Sequence, residues 1–125
     1  MDAKLPKLFK GAPSNLAANY DVLEFLGEGS FAKVKKGKNK KTGQFVAIKF
    51  IKKSNVIKDP YQIESLFNEI NIMKNMNHPG IIRLFEVYEL DDKLCLVMEL
   101  VTGGFAIYQT KLVIAGAIQN VMLNN

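Results

Sequence analysis

A single cysteine, a single histidine and the lack of any acidic residue from Lys33 to Lys58 are the first features of this 125-residue sequence. Each excludes something. Cys95 stands alone in an apolar run, Leu94 to Val97, so neither a disulfide nor a set of metal ligands can be assembled from this chain. It reads as a small core hydrophobe. A cysteine-histidine nucleophile is not supported either, because His78 runs directly into Pro79 and nothing brings it toward Cys95. This cysteine usage suits a reducing compartment, and a cytoplasmic location is expected, with the nucleus as the alternative. Residues Met1 to Ala18 lack a continuous apolar core, so no signal peptide is expected, and Asp2 excludes the myristoylation motif. Charge is scarce from Phe105 to Asn125, where Lys111 is the only ionised side chain. Even so, Gln109, Thr110, Gln119 and Asn120 interrupt every window long enough to cross a bilayer, and no membrane span is expected.

What the sequence does have is an excess of lysine. The formal charge is +5, and most of the excess lies between Lys33 and Lys58. Such a stretch invites a nucleic-acid reading. Its lysines, however, alternate with apolar residues as a half-buried sheet requires, which makes a solvated strand face the favoured account. Nucleic acid is therefore not an expected partner, and salt-dependent RNA or DNA binding would discriminate the rival reading.

Along the chain, residues 1–19 carry Pro6, Pro13 and scattered lysines without a sustained period, and they read as a flexible leader with order beginning near Tyr20. Tyr20, Val22, Phe25 and Leu26 suggest a first strand, Gly27 to Ala32 a tight turn, and Lys33 to Gly37 a second strand. Asn39 to Gly43 has turn chemistry, and Phe45 to Ile51 is a β-branched and aromatic third strand. The period then changes. Asp59 as N-cap, Pro60 at the first helical position and Gln62 three residues past the cap predict a capping-box helix to about Asn75. Ile63, Leu66 or Phe67, Ile70 and Met73 form its apolar face. His78, Pro79 and Gly80 stop it, and two more strands, Ile81 to Tyr88 and Leu94 to Glu99, turn at Asp91-Asp92. The fold class is thus α+β: a five-stranded antiparallel sheet with one packed helix over residues 20–104. Residues 105–125 form a divergent apolar tail with no assignable period.

Three local signals carry chemistry. Gly27, Gly29, Phe31, Ala32 and Val34 lie between two strands, where glycine lets backbone amides approach a phosphate closely. A strand follows instead of a helix, which excludes the dinucleotide fingerprint, and no Gly-Lys-Ser/Thr ending is present for a Walker loop. Lys49 ends the run Val46-Ala47-Ile48-Lys49, with its stem in the apolar sheet and its ammonium in need of an anion. The plain alternative is an exposed edge-strand lysine. Glu69, next to Ile70 and four before Met73, lies at the margin of the helix's apolar face and is the candidate partner. Considered alone it could equally be a solvated helix carboxylate, as Glu64 is expected to be.

In order and spacing these signals resemble one family, the protein kinases. The resemblance covers about Tyr20 to Gly104: the loop Gly27-Glu28-Gly29-Ser30-Phe31-Ala32-Lys33-Val34, the Val-Ala-Ile-Lys strand, the helix glutamate, the His78-Pro79 turn and the strand Leu96 to Val101. The wording around them is most similar to the calcium/calmodulin-dependent and calcium-dependent serine/threonine group. The resemblance implies the ATP-binding lobe of a serine/threonine kinase. In it Leu26, Gly27, Glu28, Gly29, Ser30 and Phe31 cover the nucleotide, and Lys49 contacts the α and β phosphates in an ion pair with Glu69. It further implies that Val34 and Ala47 pack on the adenine, that Met98 guards the pocket, and that Glu99 and Val101 offer backbone groups to the adenine edge.

Ala32 departs from the family's third loop glycine, and after Gly104 the motif resemblance ends. The chain contains no His-Arg-Asp loop and no Asp-Phe-Gly triplet, so the base and the protein ligands for magnesium that the family implies are absent from it. No catalytic residue and no metal ligand are expected in this chain. ATP is the expected cofactor, and a truncated fragment, inactive by itself, is the expected form. The rival reading is a non-catalytic module that docks on another kinase through its helix face.

Overall fold

The computed structural model describes residues 5–28, 32–75 and 78–101. Its elements follow the chain as α1 (Leu16–Asn19), β1 (Tyr20–Glu28), β2 (Ala32–Asn39), β3 (Phe45–Lys52), α2 (Lys53–Val56), α3 (Pro60–Asn75), β4 (Leu84–Glu89) and β5 (Lys93–Glu99). The five strands form one sheet in the order β1-β2-β3-β5-β4, with every neighbouring pair antiparallel. This is the expected α+β architecture.

Local chemistry explains the turns. Between β2 and β3 the Asn39 side chain accepts from the amides of Lys41 and Thr42 at 2.9 and 3.1 Å, and Gly43 takes a left-handed conformation, φ +76, open to glycine at little cost. At the start of α3, Asp59 Oδ1 accepts from the Tyr61 amide at 2.9 Å. The reciprocal half of the expected capping box is replaced: the Asp59 amide donates to the Val56 carbonyl at 3.4 Å. His78 Nδ1 accepts from the Gly80 amide and its carbonyl from the Ile81 amide, a turn that returns the chain to the sheet. Ile81 and Ile82 are buried but precede the ladder, so β4 begins at Leu84, three residues later than the sequence suggests.

Alternation along the central strand β3 divides the core in two. Ala47 and Ile51 face the same side as Val34, Leu94, Leu96 and Met98, where Ile70 and Met73 of α3 cover them. Val46 and Ile48 face the other side with Cys95, Val97, Tyr88, Tyr20 and Leu16. On that second side Glu86 accepts hydrogen bonds from the hydroxyls of Tyr20, at 2.7 Å, and Tyr88, at 3.2 Å. Burial, and then the carboxylate, push the Tyr20 hydroxyl pKa up. Gly37 also lies there, and a Cβ on it would stand 2.5 Å from Ile48 Cδ1.

Two features correct the sequence reading. Order begins before Tyr20: Leu16 in α1 is buried, and Leu8 and Phe9 pack against the helix-side core. The reason is a buried carboxylate, Glu89, which captures the Leu8 and Phe9 amides at 2.6 Å each and so offsets the entropy of ordering this stretch. The second is α2, a single turn in which Lys53 is buried and not part of a solvated lysine face. No helix among the described residues is long and apolar enough to cross a membrane.

Candidate functional site

The register of the sheet assembles the site. Val34 of β2 and Leu96 of β5 flank Lys49 as its direct partners on either side, and Ala47 pairs with Met98 one step along the same face. Leu26, Ala32 and Val101 pack against the cluster that contains Val34, Ala47 and Met98. Five of the residues expected around a nucleotide, Leu26, Val34, Ala47, Met98 and Val101, therefore share one apolar surface, with the Lys49 ammonium stem rising from its middle. Gly27 pairs with Val34 and Glu28 with Lys33 at the end of this row. Gly29, Ser30 and Phe31 lie outside the described residues.

Two hydrogen bonds join Glu99 and Arg83 at the far end of this row. The Glu99 amide donates to the Arg83 carbonyl at 2.9 Å, and the Arg83 amide donates to Glu99 Oε1 at 3.0 Å. These bonds fix the chain where β5 passes into Leu100 and Val101.

Lys49 and Glu69 stand on the same side of the sheet without meeting. Among the described residues the ion pairs within 4.0 Å are Lys36–Glu24, Lys40–Asp21, Lys53–Glu89 and Lys93–Asp92; the expected Lys49–Glu69 pair is not one of them. Ile70, Ile72 and Met73 of α3 are buried in the core on this side, whereas Lys49 and Glu69 are both half-buried and keep access to water. Glu64 is exposed, as a solvated helix carboxylate is.

The basic stretch is divided among several environments. Lys36 and Lys38 lie over the Phe45 ring at 4.3 and 5.6 Å, and Lys35 lies over Phe50 at 5.8 Å. Lys53 points inward to Glu89 at 2.6 Å. Lys33, Lys40, Lys41, Lys52 and Lys58 are exposed.

The sequence reading missed Lys53 and Glu89. Their side chains are 3% and 1% exposed, and Lys53 also donates to the Pro6 carbonyl at 3.3 Å. Burial raises the Glu89 pKa, but hydrogen bonds from Lys53, Leu8 and Phe9 and the lysine charge outweigh it and hold the carboxyl below its ordinary value. No local pattern announces this pair, because its members are far apart in sequence and each sits among residues that read as surface.

A five-stranded antiparallel sheet, one long helix across its Lys49 face and a glycine-rich sequence joining the first two strands make the small lobe of a protein kinase. Comparison with known proteins agrees: the pattern describing the protein kinase domain matches residues 20–124, running past Gly104, where the motif resemblance ends. The chain belongs to the protein kinase domain family. It is 56% identical over 79 residues to calcium-dependent protein kinase 5 of Plasmodium berghei, covering 63% of this chain and 13% of that protein. It is 46% identical over 85 residues to CBL-interacting serine/threonine-protein kinase 24 of Arabidopsis thaliana, covering 68% and 19%. A probable serine/threonine-protein kinase of Dictyostelium discoideum, pXi, is 44% identical over 91 residues, covering 73% and 12%. The matched region thus spans less than a fifth of the length of these relatives.

Proposed function

We propose that these residues hold ATP for a serine/threonine protein kinase, with Lys49 directed at the α and β phosphates and the adenine packed between Val34 and Ala47. The observation that carries the reading is the cross-strand row Val34–Lys49–Leu96, with Ala47 and Met98 beside it on one face. Apolar walls with a single cation fit a flat base joined to a polyanion. The residues present suit the nucleotide, which would bring the transferable phosphoryl group. Glu99 and Val101 would offer backbone groups to the base, and Leu26, Gly27, Glu28, Gly29, Ser30 and Phe31 would close over the phosphates. Glu69 is the proposed partner of Lys49 once the helix turns toward it.

Nucleotide holding, and not transfer, is the activity proposed for the 125 residues alone, because they include no His-Arg-Asp or Asp-Phe-Gly triplet to supply a base or magnesium ligands. Binding is accordingly expected to be weak and little helped by magnesium. The similarity to calcium-dependent and other serine/threonine kinases supports a protein hydroxyl as the acceptor in the larger activity. A cytoplasmic location is proposed from the lone buried thiol.

Calorimetric titration of ATP into the full chain tests the reading. Loss of a charge-assisted contact in Lys49→Met should raise Kd roughly tenfold or more. Equal affinity of the two proteins, or no heat with either, defeats it.

A further inference from the structure

Alternation along β2 sends its lysines to both sides of the sheet. Lys36 and Lys38 stand opposite Ala47 and Phe45 on the Lys49 side, whereas Lys33 and Lys35 stand opposite Phe50 and Ile48 on the other. To that second side β1 adds Val22, opposite Gly37 and 43% exposed, and Phe25, opposite Lys35 and 55% exposed. Lys35 Nζ lies 5.8 Å from the centre of the Phe50 ring. At the end of β3, Lys52 pairs with Lys93 on the same side. Cations and aromatic rings thus interleave across β1, β2 and β3, on the face turned away from the apolar row around Lys49.

Few carboxylates neutralise this patch. No acidic residue occurs from Lys33 to Lys58, so β2 and β3 contribute none. Glu28 stands opposite Lys33, and Asp92 lies 4.0 Å from Lys93. The other acids of β1, Asp21 and Glu24, are engaged by Lys40 and Lys36. Glu86, farther across the sheet on β4, accepts the hydroxyls of Tyr20 and Tyr88. The complement of the patch is therefore anionic.

The strand order narrows the choice of anion. β2 and β3 are interior strands, hydrogen-bonded on both sides, and offer no free edge to which a peptide could add a strand. A bilayer needs no such edge. It presents a broad negative surface that admits partly inserted rings, while lysine stems lie along apolar matter and lift their charges to the headgroups.

We propose that the side of the sheet carrying Val22, Phe25, Lys33, Lys35, Phe50 and Lys52 docks the chain peripherally on a bilayer rich in anionic lipid. The Phe25 ring enters the headgroup region and the lysines pair with lipid anions. The nucleotide reading concerns the opposite side of the sheet, so the two stand or fall separately.

Flotation of the full chain with lipid vesicles tests the docking. The chain should float with mixed phosphatidylcholine–phosphatidylserine vesicles and not with phosphatidylcholine alone, and salt should release it. Lys33→Gln and Lys35→Gln should each lower the partition coefficient about fivefold, the effect of one cation near an anionic surface. Lys36→Gln removes the same charge from the other side of the same strand. It should change the coefficient less than about twofold, because screening confines the attraction to about 8 Å at physiological ionic strength. The sequence contains no tryptophan, so Phe25→Trp supplies a single reporter whose emission should move to shorter wavelength on vesicle binding. Phe45→Trp, on the Lys49 side, should not respond. Urea midpoints near that of the native chain establish that the variants are folded. If Lys35→Gln, which loses its ring contact, falls short, the exposed Lys33→Gln is read in its place. Absence of flotation with the anionic vesicles overturns the proposal. So does an equal loss from the folded variants on the two sides, or an equal response of the two tryptophans. Binding of single-stranded RNA or polyglutamate without binding of vesicles gives the face to another partner and likewise overturns it.

Discussion

Val34 and Lys49 face each other across the β2–β3 ladder, so the lysine rises from an apolar row and not from a charged one. Leu96 closes the row on the other side. An ammonium so placed keeps its charge at the half-exposed tip while its stem is buried. Its role is therefore separable from stability: Lys49→Met should shift the free energy of unfolding by no more than about 1 kcal/mol, since no ion pair is lost. Urea unfolding checks this, and a substantially larger loss would mean that the lysine is a structural residue.

Glu89→Gln should be costly, because it leaves Lys53 buried without a counter-charge. Removing one member of a buried pair costs roughly 3–5 kcal/mol, readable as a lower urea midpoint. The same variant should unlock residues 6–9, seen as faster amide exchange at Leu8 and Phe9.

Acid should act through the same carboxylate. Burial raises the Glu89 pKa, yet the bonds from Lys53 and from the Leu8 and Phe9 amides prevail, and the folded value lies below the ordinary one of 4.5. A depressed carboxyl contributes stability in full above its unfolded value and loses it as pH falls through the folded one. Stability measured downward from pH 6 should thus decline below about pH 4.5, and Glu89→Gln should flatten that decline.

Gly37→Ala tests how closely β2 lies over the second core. The new Cβ would meet Ile48 Cδ1 at 2.5 Å and Ile48 Cγ1 and Val46 Cγ2 at 3.1 Å, and Ile48, which is fully buried, would have to shift within the packed core. Overpacking of this kind costs roughly 1–3 kcal/mol, to be measured by thermal unfolding. A neutral result would show that β2 can slide.

Cys95 should be unreactive toward thiol reagents while the sheet is intact. It is fully buried, and burial pushes its thiol up to about 12. Labelling should proceed only at the rate of unfolding; rapid modification of the native chain would mean that the β4–β5 edge opens locally.

The strands and the long helix were legible in the sequence because each is encoded by near neighbours. The Asp59 cap, the glycine of the β2–β3 turn and the alternation through Val46 to Ile51 all act over a few residues. The apolar row around Lys49 was legible too, since period two alone places Ala47 and Lys49 on one face and pairing with Val34 follows from a short hairpin. The short helix α2 was not, because one turn leaves too little period to detect.

Residue order and spacing thus settle which side chains belong to the sheet, which to the helix and which line the apolar row. Only the folded chain decides that Glu89 captures Lys53 and the amides of Leu8 and Phe9. Contacts of that kind join segments dozens of residues apart. Their strength comes from exclusion of water, a property of the assembled core that no local stretch of sequence carries.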